Sequence, residues 1–347
     1  RDSSQGLRLL SDSTKYRTNY TMNLTLDKNR VIRALRLILA LAAGIVTGYL
    51  IKIPMSGWIT VTTTVILFDQ DTIGGAISRS KLRFVATLFG SLIALACILF
   101  FHDNWLIIWS VLSVSCFIYA YIFMGSKKSY IGVLGIATMA IIIFSSNSTS
   151  LQHAMYRIMD IIIGIVFALL SMLFFFPQYA IKKSHRLIFS TLDDITNLIK
   201  NIQNQDNIEQ VRQHILKIET KFLNDVTNFN KTIDEAKHEL AGKKNPQLIE
   251  NYNKCVLQIR RLYRLIIVIF YYELENDNLN DPQLNQILFK ILQIIQNISD
   301  KNQRYSLAID YLELNELITQ IEAPTLRKVT NHFATELKQL HNILTLI

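Results

Sequence analysis

RFVATLFGSLIALACILFF, residues Arg83–Phe101, carries one charge at its first position and is otherwise a run of Leu, Ile, Ala, Val and Phe, relieved only by Gly, Ser, Thr and Cys. A bilayer core of about 30 Å is crossed by about 20 mostly apolar residues in a helix, since lipid offers no partner to an open backbone group. This stretch meets that length. Five more flank it, at Val31–Ile51, Pro54–Phe68, Trp105–Met124, Tyr130–Ser145 and Met155–Phe176. The second and fifth in chain order are short. They carry Pro54, Gly57 and Thr60 to Thr64 in one case, and Gly132, Gly135 and Thr138 in the other. Short interrupted spans often border binding sites. The predicted fold class is all-α: a polar N-terminal segment over 1–29, a six-helix transmembrane domain over 30–177, and a cytoplasmic helical domain over 178–347.

Lys and Arg near span ends favour the cytoplasmic side. Lys28, Arg30, Arg33 and Arg36 lie around the start of the first span, Arg79, Lys81 and Arg83 between the second and third, Lys127 and Lys128 between the fourth and fifth, and Lys182, Lys183 and Arg186 after the sixth. The opposite loops hold Lys52, with Arg157 at the mouth of span six. Both termini are therefore expected in the cytoplasm. The net charge of +9 collects at these borders, where anionic lipid accounts for it, and no nucleic-acid motif accompanies it. Cys97, Cys116 and Cys255 form no disulfide framework. No apolar core precedes Val31, so no cleavable signal peptide is expected. Met22 is read as a candidate start, in which case residues 1–21 carry no function.

Setting Arg83 over Arg157 aligns the third and sixth spans without a gap, with Gly90 on Gly164, Ala94 on Ala168 and Phe100 on Phe174. Apolar matches are common in membrane helices, so the Arg and Gly pairs carry the comparison. The alignment predicts a 3+3 repeat. Three spans per copy invert the second copy, and inverted repeats are a transporter signature. The repeat places one guanidinium near each face, ready for an anion. Asp160 stands one turn beyond Arg157 on the same helix face, with two readings open: ion-pair partner, or proton carrier. Ionisable groups at membrane depth default to function, although arginines near span ends also snorkel to headgroups. Trp58 reads as an interface anchor or as a stacking surface for an aromatic carboxylate, with Thr62 among the adjacent hydroxyls. The threonines can equally bond their own helix backbone. Asp69, Asp71 and Gly74-Gly75 are expected in a polar turn; two carboxylates there are too few for a metal site.

The run Gly57-Trp58-Ile59-Thr60-Val61, then Gly74, Gly75, Lys81, Arg83, Ala86-Thr87 and Gly90 resembles the fusaric acid resistance and aromatic acid exporter family. Its first module reads W-x-x-(L/I)-T followed by R-x-x-G-T-x-x-G. Arg157, Gly164 and Phe176-Pro177 resemble the family's R…G…P ending, and Ala86 departs where the family has Gly. The resemblance covers about residues 30–177, and more loosely the tail, and implies a bacterial inner-membrane protein that exports aromatic or other organic acid anions, driven by the proton gradient. The residues themselves place a substrate path at Arg83, Arg157, Trp58 and Thr62, with helix packing at Gly90 and Gly164. Relatives with two modules imply that this single one works as a homodimer, as in the similar plant aluminium-activated malate transporter family. Some relatives imply a periplasmic adaptor. A passive anion channel and a non-transporting scaffold remain as alternatives.

In the tail, Ile208, Val211, Ile215, Ile218, Phe222, Val226, Phe229, Ile233, Ala236 and Leu240 recur every three or four positions and predict a long amphipathic helix. Gly242 and Pro246 mark a stop and restart, with further helices expected over 246–275, 282–300, 301–322 and 324–346 in an antiparallel bundle. Arg260, Arg261 and Arg264 beside Tyr263 read as a solvated face, with an anion or lipid-headgroup site as the alternative. Val268–Tyr272 is apolar enough to dock on another surface. No enzymatic motif, metal motif or cofactor motif is present, and the histidines are scattered.

Overall fold

The computed structural model describes residues 28–52, 56–101, 104–126, 128–145, 150–203, 208–275, 282–299 and 307–347. The segment before Lys28, with Met22, and also Pro54, His102 and Lys127 lie outside the described residues. Everything described is helix or short connection, without a strand.

The apolar half contains α1 (Lys28–Ile51), α2 (Gly57–Asp69), α3 (Ile73–Phe101), α4 (Trp105–Phe123), α5 (Ser129–Ser145) and α6 (Ser150–Phe174). Four stretches are long and apolar enough to cross a membrane: Arg30–Ile51, Ile73–Phe101, Trp105–Phe123 and Met155–Phe174; α2 and α5 are shorter apolar helices. The chain is a multi-pass membrane protein. Its outward apolar face follows from that solvent, since lipid tails attract Leu as well as another Leu does. On α4 only Ile108, Leu112 and Tyr119 are buried, while Leu106, Phe117 and Tyr121 point outward.

Close packing depends on small residues. α3 lies along α5 and α6, and α2 along α6 and α1. A side chain on Gly90 would meet the Gly135 carbonyl oxygen at 2.6 Å; one on Gly164 would meet Thr62 Cβ at 2.7 Å and the Ile59 carbonyl oxygen at 2.9 Å. Two small cores result. One joins Ala40, Ile66, Leu67, Ile73, Ala76, Ala168 and Met172, the other Ala94, Cys97, Ile108, Leu112, Met139, Ile142 and Ile143.

The third span corrects the sequence reading. It starts at Ile73, not Arg83, so Gly74 and Gly75 sit in its first turn and not in a polar turn. Thr72 starts the helix as its N-cap, its hydroxyl accepting from Gly75 N at 3.1 Å and its carbonyl from Ala76 N at 3.0 Å. Arg36, read as a border charge, is buried and crosses to the end of α6. Its Nε donates to the Phe175 carbonyl at 2.9 Å and its Nη2 to that of Phe176. A cation there satisfies open carbonyls and complements the negative helix end.

The second half contains α7 (Ala180–Gln203), α8 (Ile208–Ala236), α9 (Leu240–Lys244), α10 (Pro246–Glu275), α11 (Pro282–Ser299), α12 (Leu307–Thr319) and α13 (Pro324–Leu344) around one apolar core. No helix is predicted between 178 and 207, where α7 forms. The expected helix over 301–322 is described from Leu307 and ends at Thr319. Ile269 and Phe270 of the apolar run are buried in the core while Val268 and Tyr271 are exposed, and Arg261 pairs with Glu336 at 3.2 Å.

The halves meet at the first turn of α3. Arg33 Nη1 and Lys183 Nζ reach the Asp71 carboxylate at 2.6 and 3.4 Å. Burial works to raise that carboxyl, but the charges of Lys183 and Arg33 outweigh it and hold Asp71 below its usual range. Glu235 goes the other way: burial raises it, only partly opposed by the hydrogen bond from the Thr72 hydroxyl and by Lys231 and Lys183.

Candidate functional site

Two helices bring charge into the interior of the apolar half, and two more bring aromatic rings and a hydroxyl beside it. Arg157 and Asp160 come from α6, Arg83 from α3, Trp58 and Thr62 from α2, and Tyr130 from the start of α5. Arg157 sits over the Trp58 indole, with its guanidinium carbon 3.4 Å from the ring centroid. Arg83 Nη1 donates to the Tyr130 hydroxyl at 3.3 Å, and the neighbouring Arg79 covers the Tyr130 ring at 3.9 Å.

The expectation that the arginines guard opposite entrances does not match this arrangement. Arg83 is near enough to Arg157 to repel it, and Asp160 near enough to attract it. All three are buried, Asp160 completely.

Buried polar atoms in proteins are nearly always hydrogen-bonded, so those without a partner stand out. Nε and Nη1 of Arg157, Nε of Arg83, both carboxylate oxygens of Asp160 and the hydroxyl of Thr62 are buried without one. Arg157 meets α2 at Trp58, and its unused donors suit an oxygen anion or ordered water. The other threonines differ. Thr63 Oγ1 is shared between the Ile59 carbonyl at 2.9 Å and the Gly164 carbonyl at 3.2 Å, and Thr64 bonds the Thr60 carbonyl at 2.8 Å.

Tyr130 and Arg79 escaped the sequence reading. The signal was available: Trp58 and Tyr130 are each the second residue of a short apolar helix, so the alignment that sets Arg83 on Arg157 also sets one aromatic near the other. Among the described residues no group of three or more His, Cys, Asp or Glu could hold a metal ion.

A multi-pass helical bundle of apolar helices with a buried arginine and aromatic cluster is the makeup of an integral membrane protein with a polar interior. The chain belongs to the fusaric acid resistance protein family, whose profile matches residues 30–265, and that family is one of membrane transporters. The matched region runs past the apolar helices into α10. No match to the chain is found among curated proteins.

Proposed function

We propose that the protein exports aromatic or other organic acid anions across a bacterial inner membrane, through a site made by Arg157, Arg83, Trp58 and Thr62. One observation carries the reading: Arg157 is buried with Nε and Nη1 unpartnered while its face is stacked on Trp58. A carboxylate takes the unused donors in a forked geometry, and an aromatic acid adds its ring to the apolar wall.

The inverted repeat supports this reading. Under it α2 corresponds to α5 and α3 to α6, so contacts within the apolar half should recur with the copies exchanged. α3 packs on α5 through Gly90 and Gly135, and α6 packs on α2 through Gly164 and Thr63. Arg83 with Tyr130 answers Arg157 with Trp58. Residues related by such an axis meet only near it, and in inverted-repeat transporters that is near the midplane. Both aromatics open short helices, whose positive N-terminal ends favour an anion.

In this reading α1 to α6 are six spans, both termini and the α7–α13 bundle are cytoplasmic, and Asp160 couples transport to the proton gradient. Two copies form the working unit, with lipid around them and a periplasmic adaptor completing the route. The test is efflux of a hydroxybenzoate from proteoliposomes, with and without a pH gradient, for the wild type and for Arg157→Ala. Gradient-dependent efflux lost in the variant is expected. Efflux indifferent to pH would replace the exporter with a channel, and none from a folded wild type across several organic anions would leave the scaffold.

A further inference from the structure

The first turn of a helix leaves backbone donors without partners, and in α3 some of them are satisfied from the other half of the molecule. Ile73 N donates to the Gln178 carbonyl at 3.0 Å, Gly75 N and Ala76 N use Thr72, and Gly74 N donates to Glu239 Oε1 at 3.3 Å. The same Glu239 oxygen accepts from Ala180 N at 2.5 Å, and its other oxygen from Ile181 N at 3.3 Å. One buried carboxylate, between α8 and α9, therefore caps the N-termini of α3 and α7 together.

The contact is made without cushioning side chains. A Cβ on Gly74 would run into the backbone carbonyl of Glu235, so the end of α3 rests directly on the end of α8. Thr72 adds a hydrogen bond to the Glu235 carboxylate at 2.5 Å. Arg83 lies farther along the same unbroken helix, about 15 Å from Ile73 at 1.5 Å per residue.

We propose that the C-terminal bundle regulates the membrane site through this joint: Glu239 is a positioning residue that clamps α3 to α7 and α8, so a shift of the bundle displaces Arg83. The proposal rests on the transport reading for its consequence, but its test needs no transport. Full-length protein in lipid vesicles is compared with Glu239→Gln, which keeps size and loses charge. Amide exchange is followed across residues 80–90, along with thiol modification of a Ser80→Cys probe, a buried position between the joint and Arg83. A charge-assisted hydrogen bond to a buried group is strong enough that its loss should speed both by roughly tenfold or more. Glu239→Asp, whose shorter side chain keeps the charge, should fall between the two, and it replaces Glu239→Gln in every comparison if the latter does not fold. Faster exchange confined to the first turns of α3 and α7, or no change, would overturn the proposal. Absent efflux beside a propagated change would overturn the transport reading alone.

Discussion

Gly164→Ala is the sharpest test of the helix packing that forms the site. The added carbon would lie 2.7 Å from Thr62 Cβ and 2.9 Å from Thr62 Cγ2 and the Ile59 carbonyl oxygen. Carbon pairs settle at about 3.5–4.0 Å, so α2 must move by about 1 Å. No rotamer relieves the clash, because Cβ and the carbonyl are fixed to the backbone. Overpacking of this kind costs about 1–3 kcal/mol, against at most about 1 kcal/mol gained by replacing a helical glycine. Gly44→Ala is the internal control: its Cβ would sit 3.5 Å from the movable Ile59 Cγ2, an ordinary contact, so the propensity gain survives. The variants share the propensity gain and should therefore differ by the overpacking cost, about 1–3 kcal/mol, with Gly164→Ala below the wild type and Gly44→Ala at or above it. Thermal unfolding in detergent, followed by circular dichroism, reads the order directly. A Gly164→Ala protein as stable as Gly44→Ala would refute the close contact between α2 and α6.

Arg36→Leu should destabilise by about 3 kcal/mol, since it strips charged donors from two backbone carbonyls at the end of α6; Arg36→Lys should recover less than half in the same unfolding assay, because an ammonium cannot fork between them. The joint should show two opposite pH dependences. Asp71 is held below its ordinary 3.8, so its contribution is full above that value and lost as pH falls through the lowered pKa; Asp71→Asn should cost about 1 kcal/mol at neutral pH, discounted for partial exposure, and nothing in strong acid. Glu235 is raised above its ordinary 4.5, so its contribution is full below that value and lost as pH rises through the raised pKa, and Glu235→Gln should gain on the wild type over that rise. Melting curves from strong acid, about pH 2, to about pH 8 check both, and equal slopes for the two variants would contradict the assignment.

The apolar spans were legible because length and hydropathy alone specify a membrane helix, and the starts at Pro246, Pro282 and Pro324 because proline fits the first turn and cannot continue a preceding one. The start of α3 was not legible. Gly74-Gly75 beside Asp69 and Asp71 reads as a turn, whereas Gly74 is there so that α3 can rest on the Glu235 carbonyl, a tertiary reason with no local trace. α7 was hidden by composition, since Ile188, Leu192, Ile195 and Ile199 are spaced among Lys, His, Arg and Asp directly after a span. Arg36 looked like one more border charge; only the fold brings the end of α6 against it. Within the site, Arg83, Arg157 and Asp160 could be named from sequence, but their convergence could not, because an alignment of spans gives correspondence and not distance.

That convergence bears on the sign of any proton coupling. Arg36 donates to two backbone carbonyls, whereas Arg157 has Asp160 as an attracting charge and Arg83 as a repelling one. Two cations against one anion leave the interior positive, which is costly at membrane depth and is relieved when an anion enters. A proton on Asp160 would make the interior more positive and bind the anion more tightly, and by linkage the bound anion would favour the proton equally. Proton and anion then travel together as neutral acid, a cycle that an inwardly directed proton gradient opposes, and finding it would replace the gradient-driven export proposed above. If Asp160 instead stays charged, a monovalent anion leaves alone, pulled outward by a membrane potential worth about 2.3 kcal/mol per charge at 100 mV. The direction of the pH effect on efflux therefore tells which of these two cycles the site runs, because only the first is speeded by acid on the side the anion leaves from.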